Sequence, residues 1–238
     1  MKKLLLPLLP LLVTFVTAFA VHVPAFAQAA QASQEAKKEL KGDVQAGERK
    51  IAMCIGCHGI VGYQASFPEI YKVPKISGQG AKYLVSALNA YSKGERKHPT
   101  MRAIAQSMSE QDMLDVAAYY EVHGVVAGAP ALPKAPEGSA KVAALLTKGA
   151  CVSCHGANFA APIDPTYPKI AGQHADYLFV ALKSYKTENN AKVGRANGVM
   201  AGIAKQFTND ELKELAGYVS RLPGDLKVVP QSKFLASK

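Results

Sequence analysis

Apolar residues recur along this chain at intervals of three or four positions, which places them on one face of an α-helix. They predict a middle helix twice, at Leu84, Leu88 and Tyr91 and again at Leu178, Leu182 and Tyr185. No stretch of useful length alternates between apolar and polar positions, as a half-buried strand would. We therefore predict an all-α fold.

Polar residues that cap helix N-termini stand ahead of the predicted helices. They are Asp43 and Ser139, ahead of helices that lead into two cysteine-containing motifs, and the capping pairs Ser109/Asp112 and Thr208/Glu211, ahead of the last helix in each half of the chain. The capping residues thus predict where four helices begin.

The whole pattern occurs twice. Placing Cys54 on Cys151 also aligns PKISGQGAKYLVSALNAY (74–91) with PKIAGQHADYLFVALKSY (168–185) and MRAIAQSMSEQDMLDVAAYY (101–120) with MAGIAKQFTNDELKELAGYV (200–219). The offset is 97, 94 and 99 in the three blocks, which puts the length changes in connecting loops. We interpret the chain as a tandem duplication of one small helical unit.

The repeat sets the predicted domain boundaries. Domain 1 covers residues 43–123 and domain 2 covers 138–238, which includes a C-terminal tail. Between them, residues 124–137 are rich in Gly, Ala and Pro and suit a semi-rigid linker.

Residues 1–27 have the composition of an export signal. Lys2 and Lys3 give a basic start, residues 4–20 are uncharged and rich in leucine, and Ala25-Phe26-Ala27 is a small-x-small cleavage pattern. A second such pattern makes cleavage after Ala20 an alternative to cleavage after Ala27, and an uncleaved anchor is a further one. Residues 28–42 then form a polar leader, and we expect the remaining chain to lie in the periplasm.

The basic charge is unevenly distributed. The whole chain carries a formal net charge of +10, of which residues 138–238 contribute +6 and residues 43–123 only +1. A basic face can attract an acidic partner or anionic lipid, whereas scattered lysines only keep a protein soluble, and the sequence leaves both open. Nucleic acid is a poor candidate partner, because no basic stripe interleaved with aromatic residues occurs.

All four cysteines fall in two copies of one motif, CIGCHG (54–59) and CVSCHG (151–156). A zinc site would need the two cysteine pairs about 12 to 20 residues apart, whereas here they are 97 residues apart. A thioredoxin-like disulfide would need a β-α-β unit, whereas this chain has a helical pattern. Two local disulfides would leave the adjacent histidines without a role. These three alternatives are therefore disfavoured.

The motif matches covalent attachment of c-type haem, in which two thiols bind one porphyrin and the next residue directs its imidazole at the iron. We predict two haem c groups. The first is held by Cys54, Cys57 and His58, and the second by Cys151, Cys154 and His155. Haem would also supply the core that such small helical units lack.

A second axial ligand is expected from the other side of each porphyrin. Met101 aligns with Met200, whereas Met108 and Met113 have no methionine in the copy and are interpreted as packing residues. Met53 directly precedes Cys54, so we expect it on the same side of the porphyrin as the cysteine motif. We predict Met101 and Met200 as iron ligands.

Bis-histidine ligation is the alternative to methionine. His98, His123 and His174 have no histidine at the aligned position, and an unpaired histidine is more often a surface or hydrogen-bonded residue.

Pro74 and Pro168 occupy equivalent positions after the two motifs. A backbone carbonyl there can accept the proton on the far nitrogen of His58 or His155 and so fix the ring orientation. The alternative is a turn proline that starts the next helix.

These residues carry a resemblance to the dihaem cytochrome c4 family, in which two class I cytochrome c domains stand in tandem. The matching segments are the two C-x-x-C-H-G motifs, PKISGQ and PKIAGQ, and the M-x-x-I-A segments that begin at Met101 and Met200. The resemblance implies helices wrapped around one haem per domain, with the two haems facing each other through their propionate edges.

The resemblance also implies a function. The family carries electrons in the bacterial periplasm, often loosely bound to the inner membrane, from bc1-type quinol-oxidising complexes to terminal oxidases such as the cbb3 type. We therefore expect an electron carrier that is not an enzyme. The uneven charge adds the hypothesis that the C-terminal domain docks to an acidic surface. The alternatives are a haem-bearing subunit of a periplasmic dehydrogenase and a dihaem peroxidase, and the paired methionines argue against the peroxidase because it needs an open iron.

Overall fold

The computed structural model describes residues 40–230, and the predicted export signal, residues 1–27, lies outside the described residues. The helices of the first half are α1 (Val44–Lys50), α2 (Ala52–His58), α3 (Ala81–Lys93), α4 (Pro99–Gln106) and α5 (Glu110–Val122). Those of the second half are α6 (Ala140–Lys148), α7 (Cys151–His155), α8 (Ala175–Lys186), α9 (Gly198–Ala204) and α10 (Asn209–Ser220). The same order of helices is thus repeated, as the aligned sequences predict.

The predicted capping residues are confirmed. Asp43 accepts a hydrogen bond from the Ala46 amide at the start of α1, and Ser139 accepts one from Val142 at the start of α6. The capping pairs Ser109/Asp112 and Thr208/Glu211 both form complete capping boxes, ahead of α5 and α10. These bonds satisfy amides that the helix itself leaves without a partner.

In the first half, α1 crosses α5 closely enough that Gly47 lies against the backbone of Asp115. The Asp115 carboxylate is buried and accepts hydrogen bonds from the Asp43 amide (2.9 Å), Lys50 Nζ (2.6 Å) and Gln111 Nε2 (2.7 Å). A buried charge is tolerated when it is paired and hydrogen-bonded in this way. The crossing is therefore held by close backbone packing and by one satisfied carboxylate.

In the second half, α10 packs against α8 and α6. Phe159 and Leu212 are the largest fully buried side chains, and each anchors an apolar cluster of this half. Burial of apolar surface is the main source of stability here, as in other small helical units.

Short strands pair in two places. Strands β1 (Gln64–Ala65) and β2 (Tyr71–Lys72) are antiparallel neighbours within the first half, and β3 (Arg96–Lys97) of the first half pairs antiparallel with β4 (Gly194–Arg195) of the second. Each spans two residues, too few to leave an alternating pattern in the sequence. The second pair joins the halves and sets Arg96 opposite Arg195.

The chain after α10 returns to the first half. Lys227 donates its amide proton to the Ser77 carbonyl (3.0 Å), and its Nζ donates to the Gly124 carbonyl (2.7 Å). Across the described part of the chain, none of the helices has the length and apolar character to cross a membrane.

Candidate haem-binding sites

Both cysteine motifs are helical. Cys54, Cys57 and His58 lie on α2, while Cys151 to His155 form α7, and all four thiols are free. The Cys-x-x-Cys spacing brings the two thiols of a motif to the same side of one helical turn. Burial, together with the neighbouring Cys57, raises the pKa of the Cys54 thiol to about 11, and burial also raises the pKa of Cys151. The Cys54 and Cys151 thiols are therefore protonated at neutral pH.

The histidines of the two motifs are oriented by proline carbonyls, which confirms that prediction. His58 Nδ1 lies 2.8 Å from the carbonyl oxygen of Pro74, and His155 Nδ1 lies 3.2 Å from that of Pro168. Because a carbonyl oxygen only accepts, the proton of each ring resides on Nδ1 and Nε2 keeps its lone pair. Burial lowers the pKa of both histidines, so both rings are neutral and suited to bind a metal.

One cavity of about 1070 Å³ runs through both halves and is lined by both cysteine motifs. Met101 and Met200 line it as well, as do Met53 and Met108, while Met113 is buried in the core. The structure therefore brings every predicted site residue to the wall of one cavity. Met108 also faces the cavity, and it is the repeat, rather than the cavity alone, that singles out Met101.

Equivalent residues cap the two helices that carry Met101 and Met200. His98 Nδ1 accepts the Met101 amide proton (3.3 Å), and Asn197 Oδ1 accepts that of Met200 (2.9 Å). His98 Nε2 then carries the ring proton and donates it to the Tyr71 hydroxyl (3.1 Å). Both ring nitrogens of His98 are thus bound by protein atoms.

Arg96 and Arg195 lie side by side where the halves meet. Arg96 Nη2 and Arg195 Nη2 both donate to the hydroxyl of Tyr177, at 3.3 Å and 3.2 Å. The rings of Tyr91 and Tyr185 lie next to the two guanidinium groups, at 4.6 Å and 5.4 Å from ring centre to Cζ. Burial alone would raise the pKa of Tyr177, but the two cations lower it to about 8.

Within residues 40–230 neither guanidinium is paired with a carboxylate, and Arg96 Nε is buried without a hydrogen-bond partner. Both arginines are half-buried, and two like charges side by side favour an anion nearby, since an uncompensated charge shielded from water is unfavourable. Both arginines line the cavity. The carboxylate groups of haem meet this requirement, so the residues present fit the cofactor.

The arginines, the helix-capping function of His98 and Asn197, and the buried glutamines Gln79 and Gln173 are not evident from the sequence patterns described above. The signal that could have found them is the repeat, because each of these positions has its counterpart in the other copy. A shared position does not by itself say what a residue contacts.

The cytochrome c family model matches residues 44–121 and 139–223. The chain is 32% identical over 194 residues to cytochrome c4 of Stutzerimonas stutzeri, covering 76% of this chain and 90% of that protein. It is 28% identical over 186 residues to the thiosulfate dehydrogenase electron acceptor of S. stutzeri strain A1501, covering 75% and 83%. The crystal structure of reduced recombinant cytochrome c4 from Pseudomonas stutzeri superimposes with a TM-score of 0.55 at 27% identity, covering 76% of this chain and all of that one.

Proposed function

This chain belongs to the cytochrome c family and is a dihaem electron-transfer protein of the cytochrome c4 type, and on that premise we propose that it carries electrons between respiratory complexes in the periplasm. The observation that supports this most is the single cavity lined by both cysteine motifs and by the two aligned methionines. A cavity that is continuous across the halves suits a relay in which two redox groups work close together.

We assign the ligands by half. Cys54 and Cys57 would attach the first haem, and His58 and Met101 would bind its iron. In the second half the corresponding residues are Cys151 and Cys154, then His155 and Met200. Haem iron with His and Met ligands supplies reversible one-electron transfer at a raised potential.

The protein's own residues set the conditions for that transfer. The Pro74 and Pro168 carbonyls orient the histidine rings, and the caps at His98 and Asn197 orient the start of each methionine helix. Arg96 and Arg195 would hold the haem carboxylates where the halves meet. A rigid set of ligands keeps the change in geometry small when the charge of the site changes.

The proposed donor is a bc1-type quinol-oxidising complex and the proposed acceptor a cbb3-type terminal oxidase. Exposed apolar side chains occur beside or within the cysteine motifs: Met53 precedes the first motif and Val152 lies within the second. Such side chains suit transient docking, and the charge of +6 on residues 138–238 would speed encounter with an acidic partner. An association rate that does not change with salt would contradict this docking mode.

A second candidate function is electron acceptance from a periplasmic dehydrogenase. It is supported by the relative named thiosulfate dehydrogenase electron acceptor, which this chain matches over three quarters of its length. The two candidates differ in the donor alone. Stopped-flow reduction of the protein by a purified bc1-type complex and by a thiosulfate dehydrogenase, at matched concentrations, would identify the faster donor.

The ligand assignment is tested by the visible spectrum of protein matured in a periplasm. We expect two haems per chain, the ferric methionine-to-iron charge-transfer band at full strength, and no change on adding carbon monoxide. A haem that lacks the band and binds carbon monoxide would show an open iron and contradict a closed electron relay.

A further inference from the structure

Two buried glutamines connect the halves of the molecule by reciprocal hydrogen bonds. Gln79 and Gln173 are 3% and 4% exposed. Gln79 donates Nε2–H to the Lys169 carbonyl (2.9 Å) and accepts the Lys169 amide proton on Oε1 (3.0 Å). Gln173 does the same with Lys75, at 2.9 Å in both bonds. Each side chain thus binds the backbone of the Pro-Lys-Ile segment in the opposite half.

The orientation of each carboxamide is fixed by a third bond. Gln79 Oε1 also accepts the amide proton of Gly80, and Gln173 Oε1 accepts that of His174, both at 3.0 Å. A rotated amide would place its NH₂ group against two N–H donors. Both polar atoms of each side chain therefore have hydrogen-bond partners, which fix its orientation, as is expected of buried polar groups in a native protein.

The lysine amides that the glutamines bind belong to the peptide units that orient the histidines. The Lys75 N–H and the Pro74 carbonyl are two ends of one peptide group, and that carbonyl accepts from His58 Nδ1. The Lys169 N–H and the Pro168 carbonyl are likewise one group, bonded to His155. A peptide group is planar, so a change at its N–H end is transmitted to its carbonyl.

We propose that Gln79 and Gln173 are crossed positioning residues, each of which sets the orientation and hydrogen-bond strength of the motif histidine in the opposite half. Gln173 acts on His58 through one peptide group, and Gln79 acts on His155 through another. The inference rests on the proposed ligation of haem iron by these histidines.

The expected direction follows from hydrogen-bond polarisation. A peptide group that donates its N–H becomes a stronger acceptor at its carbonyl, because neighbouring hydrogen bonds reinforce one another. A stronger acceptor for Nδ1–H makes the imidazole a better electron donor to a metal, which favours the ferric state. Removing the glutamine should therefore raise the midpoint potential of the haem in the opposite half.

The test is a pair of variants that serve as controls for each other. Midpoint potentials of Gln173→Leu and Gln79→Leu are measured haem by haem in the full-length holoprotein, by NMR during redox titration, with the signals of each haem assigned through neighbouring side chains. Gln106→Leu is the matched control, because Gln106 is exposed and donates only to the Ser92 carbonyl of its own half. It should leave both potentials unchanged.

We expect Gln173→Leu to raise the potential of the haem at Cys54 and Cys57, and Gln79→Leu to raise that of the haem at Cys151 and Cys154. The first shift should be the larger, because the His58 bond of 2.8 Å is shorter than the His155 bond of 3.2 Å. If the leucine variants do not fold, Gln173→Met and Gln79→Met remove the same bonds with a side chain of similar length.

A merely structural role predicts a different outcome. If the glutamines only hold the halves together, each variant would shift both haems alike or neither, and either result, or a shift confined to the variant's own half, would overturn the crossed positioning. The spectrum of the unmodified protein tests the ligation separately. Absence of methionine-ligated haem there refutes the proposed function, whereas a normal spectrum with uncrossed shifts refutes only this inference.

Discussion

Replacement of Gly47 by alanine tests how closely α1 and α5 must approach. A Cβ atom at this position would lie 2.1 Å from the Asp115 carbonyl oxygen and 2.8 Å from Cβ of Tyr119. A Cβ atom essentially never lies closer than about 3.0 Å to a non-bonded heavy atom. The helices α1 and α5 would therefore have to separate by about 0.9 Å, the difference between 3.0 and 2.1 Å. The atoms in the way belong to or adjoin the backbone, and no flexible side chain can give way.

The magnitude follows from two opposing effects. Overpacking a well-packed contact costs about 1 to 3 kcal/mol, and a clash with backbone belongs at the upper end, about 3 kcal/mol. Alanine regains about 1 kcal/mol of helix propensity over glycine. The expected net loss is about 2 kcal/mol in the free energy of unfolding.

Equilibrium unfolding in guanidinium chloride, followed by circular dichroism, would measure this loss. With a denaturant dependence of about 4 kcal/mol per molar, a loss of about 2 kcal/mol lowers the midpoint by roughly 0.5 M. Gly217→Ala in α10 is the matched control, because the nearest atom to its Cβ would be Arg221 Nη1 at an ordinary 3.5 Å and the aligned residue of the other copy is Ala118. It should be neutral or stabilising by up to about 1 kcal/mol. A Gly47→Ala midpoint equal to that of the control would refute the reasoning.

Three further outcomes are expected. Met101→Leu should remove about half of the ferric methionine-to-iron band and open one iron to carbon monoxide. Met108→Leu is the control, since Met108 lines the same cavity, and it should leave the spectrum unchanged. Loss of the band in both variants would contradict the assignment of Met101 as the ligand. Burial raises the pKa of Asp115, but hydrogen bonds from Lys50 and two other donors more than offset this effect, so the pKa in the folded protein is lowered. The contribution of Asp115 to the stability of the fold is therefore present above its unfolded pKa of about 3.9. It is lost as the pH falls through the lower folded value. Asp115→Asn should therefore flatten the acid-unfolding profile below about pH 4, and an unchanged slope would argue against this carboxylate as the titrating group. Arg96→Leu should lower the midpoint potential of at least one haem, because loss of a cation that lines the cavity favours the ferric state. An unchanged or raised potential in potentiometry would exclude the arginine from the haem environment.

Much of the fold could be predicted because its signals are local. Capping boxes and apolar residues at helical spacing each act within a few turns of helix, and the tandem repeat presents the same signals twice. The structure contains the helices they predict. The proline carbonyls at Pro74 and Pro168 were also predictable, because a histidine that binds a metal needs a partner for its other nitrogen. This prediction follows from the chemistry of the motif itself, because its histidine needs a hydrogen-bond acceptor.

The contacts between the halves could not be predicted. Arg96 and Arg195 stand in polar stretches of sequence, GERKHP and VGRANG, where a basic side chain is usually solvated. They are half-buried because tyrosines of both halves close around them. Gln79 and Gln173 likewise lie in aligned motifs, yet nothing in one copy shows that its glutamine binds the other copy. Contacts across a domain boundary depend on the tertiary structure and leave no periodic pattern of residues in the sequence.

The return of the chain at Lys227 to the first half means that the second half is attached at both of its ends. The linker enters it before α6, and the segment after α10 is anchored again at Ser77 and Gly124. A cut within residues 124–137 would thus leave a nicked protein whose two fragments remain associated through the β3–β4 pair, the glutamine bonds and this anchor. Once one of these contacts holds the fragments together, the others would form at a high effective concentration. The two halves are therefore held together both by the covalent linker and by non-covalent contacts, and do not behave as independent domains.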